Sequence, residues 1–211
     1  MTSSAQPRIR VLVVDDHPMM RDGIASTLRA QPDMELAGEA GDGHEAIEQF
    51  NRLRPDVVLL DLNMPEMNGL DALKVIRERF ADARIVVLTT YNGDVLANRA
   101  LKAGALGYLL KSSLRTDMVG AIRAAHQGKR YVPADVAVAI AKHLGTEDLS
   151  PREVEILRHI AAGLSNKEIA NELGVSDETV KTHLKSVFSK LHVSDRSHAI
   201  ATALERGIFQ L

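Results

Sequence analysis

The chain has 211 residues, 26 Lys and Arg against 28 Asp and Glu for a formal net charge of −2, and 45% hydrophobic residues, which excludes a basic coat protein, an acidic solvating tail and global disorder. It has no cysteine, so disulfides, thiol catalysis and cysteine-ligated zinc are excluded, and a reducing compartment fits. No stretch approaches the ~18 apolar residues that span a bilayer, and Val11–Val14 is far short of a signal-peptide core, so a soluble cytoplasmic protein with no membrane partner is expected.

Between Ile9 and about Gly128, five short β-branched runs alternate with longer amphipathic stretches. The runs are Ile9–Val14, Met34–Ala40, Val57–Leu60, Arg84–Leu88 and Gly107–Leu110. Helical patterns lie around 18–30, 43–53, 69–80, 93–103 and 114–127. This alternation predicts an α/β domain over 1–128, a doubly wound five-stranded parallel sheet with helices on both faces. Three runs are apolar throughout, as central strands covered on both sides must be. Residues 129–148 read as a linker with a short alanine-rich helix over 134–143.

From Leu149 the strand texture is gone. Ser150-Pro151-Arg152-Glu153 and Ser165-Asn166-Lys167-Glu168 are capping boxes that open two helices. Gly163 and Gly174 close them. Ser176-Asp177-Glu178 opens a third helix and Ser194-Asp195 a fourth, so 149–211 is predicted to be a small all-α four-helix domain.

The strands of the first domain end in chemistry. The first ends in Asp15-Asp16, the third in Asp61, the fourth in Thr89 and the fifth in Lys111. In an open parallel sheet, ligands bind beyond the carboxyl ends of the strands, where strand order reverses. Singly, each of these residues is an ordinary cap, turn or solvated residue. Together they place three carboxylates, a hydroxyl and an ammonium at one edge. Clustered carboxylates repel unless a cation lies between them, and all-oxygen ligands favour Mg²⁺ or a similar hard ion. None of the eight histidines has metal-ligand spacing. A carboxylate beside such a cation, facing a hydroxyl and an ammonium, suits phosphoryl transfer to the carboxylate.

The first ~125 residues resemble a response-regulator receiver domain. The resemblance is carried by Val13-Val14-Asp15-Asp16-His17, by Leu60-Asp61-Leu62-Asn63-Met64-Pro65-Glu66-Met67-Asn68-Gly69, by Leu88-Thr89 and by Gly104-Ala105-Leu106-Gly107-Tyr108-Leu109-Leu110-Lys111. It implies that Asp61 accepts the phosphoryl group. Asp16, Asp61 and the Asn63 carbonyl would hold Mg²⁺, with Asp15 helping through water. Thr89 and Lys111 would meet the phosphoryl group, and Tyr108 would be the aromatic switch. Asn63 and Tyr91 occupy positions that tune dephosphorylation in the family. Ser112 follows Lys111 where many receivers have a cis proline, which leaves that bond's geometry open.

In the second domain, stepping ~100° per residue from Val180 gathers Val180, Leu184, Val187, Phe188 and Leu191 in one arc of the third helix. Thr182, Lys185 and Ser189 fall opposite, with Lys181 on one flank and Lys190 and His183 on the other. Residues 144–178 carry a net charge of −5 and residues 179–211 a net +3, so positive charge is concentrated from this helix onward. Helix, tight turn at Gly174 and basic-faced helix form a helix-turn-helix whose second helix suits the major groove.

Residues 149–211 resemble a LuxR-type DNA-binding domain, through Leu149-Ser150-Pro151-Arg152-Glu153, Ala162 to Ala170, Leu173-Gly174-Val175-Ser176 and Thr179-Val180-Lys181-Thr182-His183. The resemblance implies that Lys181, Thr182 and Lys185 face base edges and that Asn166, Lys167, Thr179 and Lys190 lie near phosphates. The fourth helix, 195–206, would serve dimerisation.

Competing readings fit these residues less well. An Asp-nucleophile phosphatase usually shows Asp-x-Asp after strand one, and Asp15-Asp16-His17 lacks that pattern. Gly41-x-Gly43-x-x-Ala46 could open a dinucleotide site, but it falls at the second β-α turn, where a tight turn accounts for it. A phospho-regulated interaction protein, or a DNA binder independent of phosphorylation, is the remaining alternative. The combined reading is a transcriptional regulator of the NarL/FixJ type, not an enzyme. It expects a sensor histidine kinase as phosphoryl donor, double-stranded promoter DNA as target and a homodimer on phosphorylation.

Overall fold

Strands β1 (Ile9–Val14), β2 (Met34–Ala40), β3 (Val57–Asp61), β4 (Ile85–Thr89) and β5 (Gly107–Leu110) form one parallel sheet in the order β2-β1-β3-β4-β5. Helices α1 (Pro18–Arg29), α2 (Gly43–Leu53), α3 (Gly69–Arg79), α4 (Asp94–Lys102) and α5 (Leu114–His126) follow the strands in turn. The computed structural model describes residues 7–90, 93–142 and 147–209. These elements match the predicted alternation to within a residue or two.

The central strands are covered on both faces, which is why they read as unbroken apolar runs. Every residue of β3 and β4 is buried. Alternate positions face opposite sides. Val11, Val13, Val57, Leu59, Val86 and Leu88 pack with Ile24 and Leu28 of α1 and with Met118, Ala121 and Ile122 of α5. Leu12, Val58, Leu60, Ile85 and Val87 are fully buried toward the opposite side. Strand order reverses between β1 and β3, so the crevice beyond their carboxyl ends is where this topology places a ligand.

The edges are less regular. β2 is an edge strand and largely half-exposed. The other edge, β5, is extended by Tyr131, whose amide donates to the Leu106 carbonyl (2.8 Å) and whose carbonyl accepts from the Tyr108 amide (3.0 Å). The start of the stretch read as a linker is thus fastened to the sheet. Its helix α6 spans Ala134–Lys142; residues 143–146, part of the expected linker, lie outside the described residues.

The described residues divide into two compact units, 7–90 with 97–134, and 93–96 with 135–142 and 147–209. The second contains helices α7 (Pro151–Ala161), α8 (Asn166–Leu173), α9 (Asp177–Leu191) and α10 (Arg196–Glu205). Ser150 and Ser165 complete capping boxes with Glu153 and Glu168, as predicted, and Ser176 caps α9 through the Thr179 amide. Gly174 ends α8 at φ 63°, a left-handed conformation that costs glycine little. Ile156, Leu157, Ile160, Ile169, Val180, Leu184, Val187, Leu191, Ala199 and Ala203 form the core of the four helices.

Candidate functional site

The sheet delivers its polar residues to one place because each is the last residue of a strand or lies just past it. Asp61 ends β3, Thr89 ends β4, Asp15 follows β1 and Lys111 follows β5. Asp15, Asp61 and Thr89 are fully buried. Lys111 Nζ lies 2.8 Å from Asp15 Oδ2 and 2.8 Å from Asp61 Oδ2, so a single ammonium serves two carboxylates. The Asn63 amide donates to Asp61 Oδ1 at 3.2 Å. The turn holding Asp61 is compact, and a Cβ at Gly69 would run into the Asp61 carbonyl, which explains the glycine at the start of α3.

Two neighbours complete the pocket that sequence reasoning did not single out. The His17 amide donates to Asp15 Oδ1 (2.9 Å), and its Nδ1 lies 3.2 Å from Asp15 Oδ1 and 2.7 Å from Asp16 Oδ1. Arg21 Nη1 donates to the Asp15 carbonyl (2.6 Å) while its Nε meets Glu39 (3.1 Å). Their signal in the sequence is position alone: His17 ends the β1–α1 turn, and Arg21 falls one helical turn later. Tyr91 lies outside the described residues.

The electrostatics are those of an acid-rich pocket with too little positive charge. Burial raises the Asp61 pKa, and the Asp15 charge adds to it; the Lys111 hydrogen bond opposes but does not cancel this. Burial works against the Lys111 charge, but its contacts with Asp15 and Asp61 outweigh that and hold its pKa above the usual lysine value. The two shifts are consistent, because the lysine has two anions while each anion has half a lysine. Tyr108 is fully buried, and its pKa is pushed up to about 12 by burial, against a hydrogen bond with Thr89.

The residues fit a hard cation. One ligand atom from each of Asp15, Asp16, His17 and Asp61 can be chosen so that all lie within 4.8 Å of one another. Asp15 Oδ2 and Asp16 Oδ1 are buried, with Lys111 Nζ at 2.8 Å from the first and His17 Nδ1 at 2.7 Å from the second. Three carboxylates gathered around one lysine repel one another, and a hard cation among them relieves that repulsion. The peptide bonds of the described residues are trans, Lys111–Ser112 included. At the α2 N-terminus, the Asp42 carboxylate accepts from the His44 and Glu45 amides, filling the position a dinucleotide phosphate would need.

In the second unit, α9 buries Val180, Leu184, Val187 and Leu191, with Phe188 half-buried beside them. Lys181, Thr182 and Lys185 are exposed on its outer side. Lys181 Nζ pairs with Asp177 Oδ2 at 2.8 Å, and that hydrogen bond raises its pKa. The Thr182 hydroxyl donates to the Glu178 carbonyl at 2.9 Å. Asn166 and exposed Lys167 begin α8, and the Thr179 hydroxyl lies 2.8 Å from the Ser176 hydroxyl in the α9 cap. Lys190 is placed differently from the others. Its Nζ lies 3.0 Å from Glu153 Oε2 and 3.3 Å from the Asp148 carbonyl. Glu153 is buried and also accepts from Ser186 Oγ (2.6 Å) and from the Ser150 amide (2.7 Å). Burial would raise its pKa, but these donors outweigh it and hold the carboxyl at about 2.

Residues 11–123 match the response regulator receiver domain, and residues 147–203 match the bacterial regulatory proteins of the luxR family. The chain is a response regulator of the NarL/FixJ family. This response regulator is 45% identical over 203 residues to the transcriptional regulatory protein LiaR of Bacillus subtilis (strain 168), covering 92% of this chain and 96% of that one. It is 38% identical over 207 residues to the response regulator protein VraR of Staphylococcus aureus (strain NCTC 8325 / PS 47), covering 96% and 99%. Among solved structures, RcsB from Salmonella enterica serovar Typhimurium bound to promoter P1flhDC in the presence of phosphomimetic BeF3− is 31% identical. It matches 92% of this chain and 97% of its own at a TM-score of 0.72. ChrA, the response regulator of a heme-sensing two-component system, is 35% identical over 97% of this chain and 100% of its own, with a TM-score of 0.58. Among the described residues, no helix is long and apolar enough to cross a membrane.

Proposed function

We propose that the chain is a cytoplasmic transcription regulator that takes a phosphoryl group on Asp61 from a sensor histidine kinase and then binds promoter DNA as a dimer. The observation that carries this reading is the meeting of Asp15, Asp61 and Lys111 at 2.8 Å contacts beyond the β1/β3 crevice, with the Asp16 carboxylate beside them. Residues 1–128 form the receiver, 129–148 the linker and 149–211 the DNA-binding part.

An Asp61 carboxylate oxygen attacks phosphorus in line. The new O–P bond forms as the P–N bond of the donor phosphohistidine breaks, and the imidazole leaves with the electron pair. Asp16, Asp61 and the Asn63 carbonyl would hold Mg²⁺, with Asp15 through water; when bound, the ion neutralises the carboxylates and the developing phosphoryl charge. Lys111 already lies at the acceptor and supplies a second positive charge. Thr89 turns its hydroxyl to the phosphoryl oxygens. Tyr108, bonded to Thr89 and buried, follows that movement. The phosphoryl group is accepted once per chain and not turned over on a substrate, so the protein is a switch and not an enzyme.

DNA binding is supported by the exposed Lys181, Thr182 and Lys185 on α9 and by Asn166, Lys167 and Thr179 at the starts of α8 and α9. The RcsB structures, with dimers bound to DNA, support the dimer. Lys190 acts on this surface by holding α9 to α7 through Glu153. The test is DNA binding before and after acetyl phosphate with Mg²⁺, in the parent and in Asp61→Asn. Tighter binding in the phosphorylated parent alone is expected; equal binding in all four samples would sink the phosphorylation control.

A further inference from the structure

The outer ridge of α9 contains an acid that the DNA-facing reading does not use. Helical phase places Glu178, Thr182, Lys185 and Ser189 on one line at steps of four, three and four, opposite the buried Val180, Val187 and Leu191, and all four are exposed. The usual tasks of an acid in a first helical turn are taken by its neighbours. Ser176 caps the Thr179 amide, and Asp177, 36% exposed at its side chain, takes the close ion pair with Lys181. Glu178 is 82% exposed at its side chain and stands 3.7 Å from the same ammonium, a loose contact.

An acid on a ridge that meets DNA is costly. It repels every phosphate it approaches, so it weakens binding to all sequences unless it finds a donor. A carboxylate only accepts, and the major groove offers only two kinds of donor, the cytosine N4 amino group and the adenine N6 amino group. Adenine carries the N7 acceptor beside its amino group, which repels a carboxylate; cytosine carries no such neighbour. Residues near the N-terminus of a recognition helix are those that reach base edges. We propose that Glu178 is a specificity-determining residue that accepts a hydrogen bond from a cytosine amino group in the major groove, fixing one base pair in each half-site. This rests on the DNA-binding reading above.

The test is selection from a random double-stranded DNA library by the full chain treated with acetyl phosphate and Mg²⁺, comparing the parent with Glu178→Ala and Glu178→Gln. The parent should enrich sites with a fixed cytosine once per half-site. In Glu178→Ala that position should lose about tenfold of its discrimination while the others keep theirs. In Glu178→Gln the preference should move to adenine, because an amide pairs with adenine N6 and N7. Thermal melts of the three proteins check the fold. If Glu178 only stabilises the helix start, the variants will melt lower and bind all sites more weakly with unchanged base frequencies, and the proposal is wrong. Uniformly tighter binding by Glu178→Ala would also overturn it. A parent that enriches no sequence would overturn the DNA-binding reading itself, and this proposal with it.

Discussion

The receiver pocket and the α7–α9 junction each bury a carboxylate beside a lysine, and they do opposite things with it. Asp61 shares Lys111 with Asp15 and otherwise accepts one main-chain hydrogen bond, at 3.2 Å, so burial prevails and its pKa is raised. Glu153 has Lys190 largely to itself, with the Ser186 hydroxyl and the Ser150 amide in addition, and its pKa is held at about 2. The difference lies in the supply of donors, since both carboxylates are buried. A carboxylate short of donors can take a cation or a phosphoryl group. One engaged by three donors, a lysine among them, is a structural lock.

The comparison breaks most directly at Lys111. Lys111→Met should slow phosphoryl acceptance from acetyl phosphate by about a hundredfold, because the positive charge aimed at the phosphoryl oxygens is gone. A time course of intact mass would measure this, and a rate within a few fold of the parent would show that the lysine is not part of the chemistry.

At the other site, Glu153→Ala should destabilise the second unit by about 3 kcal/mol, leaving Lys190, Ser186 and the Ser150 amide without their acceptor. Urea unfolding followed by circular dichroism should show the loss in that unit's transition and leave the receiver's transition in place. The same group predicts an acid dependence. Its folded pKa of about 2 lies below the usual 4.5, so its contribution is complete above about pH 4.5 and is lost as pH falls toward 2. The shift corresponds to about 3 kcal/mol. Glu153→Gln should flatten that part of the curve; an unchanged acid midpoint would remove Glu153 from the account.

Lys185 and Lys190 sharpen the contrast within α9. Lys185→Ala should weaken DNA binding and reduce the salt slope by about 1. Lys190→Ala should lower stability and leave that slope nearly unchanged, since its ammonium is committed to Glu153. The smallest effect is a cap: Ser165→Ala should cost about 1 kcal/mol of the second unit's stability, read in the same unfolding experiment.

Much of the fold was legible because its signals are local. Unbroken apolar runs mark the covered strands, and the polar residues at the carboxyl ends of β1, β3, β4 and β5 mark the pocket. The capping boxes at Ser150 and Ser165 were readable for the same reason. The rest depends on contacts across the chain. That Glu153 both closes the α7 cap and reaches Lys190 of α9 cannot be seen in a four-residue motif, and the resemblance that put Lys190 near phosphates carries no sign of this contact. Tyr131 read as linker because one residue paired to an edge strand has no periodicity; only its neighbours Val132 and Pro133 hint at extended chain. His17 carries no metal-ligand spacing, and its approach to Asp15 and Asp16 follows from the shape of the β1–α1 turn.

The central claim is that Asp61 is the reactive carboxylate of this chain. The most direct measurement is the intact mass of the parent and of Asp61→Asn after incubation with acetyl phosphate and Mg²⁺, repeated with the metal chelated. The account predicts a gain of one phosphoryl group in the parent with Mg²⁺ and none in the other samples. An equal gain in Asp61→Asn, or no gain in the parent under conditions that preserve acyl phosphates, would contradict it.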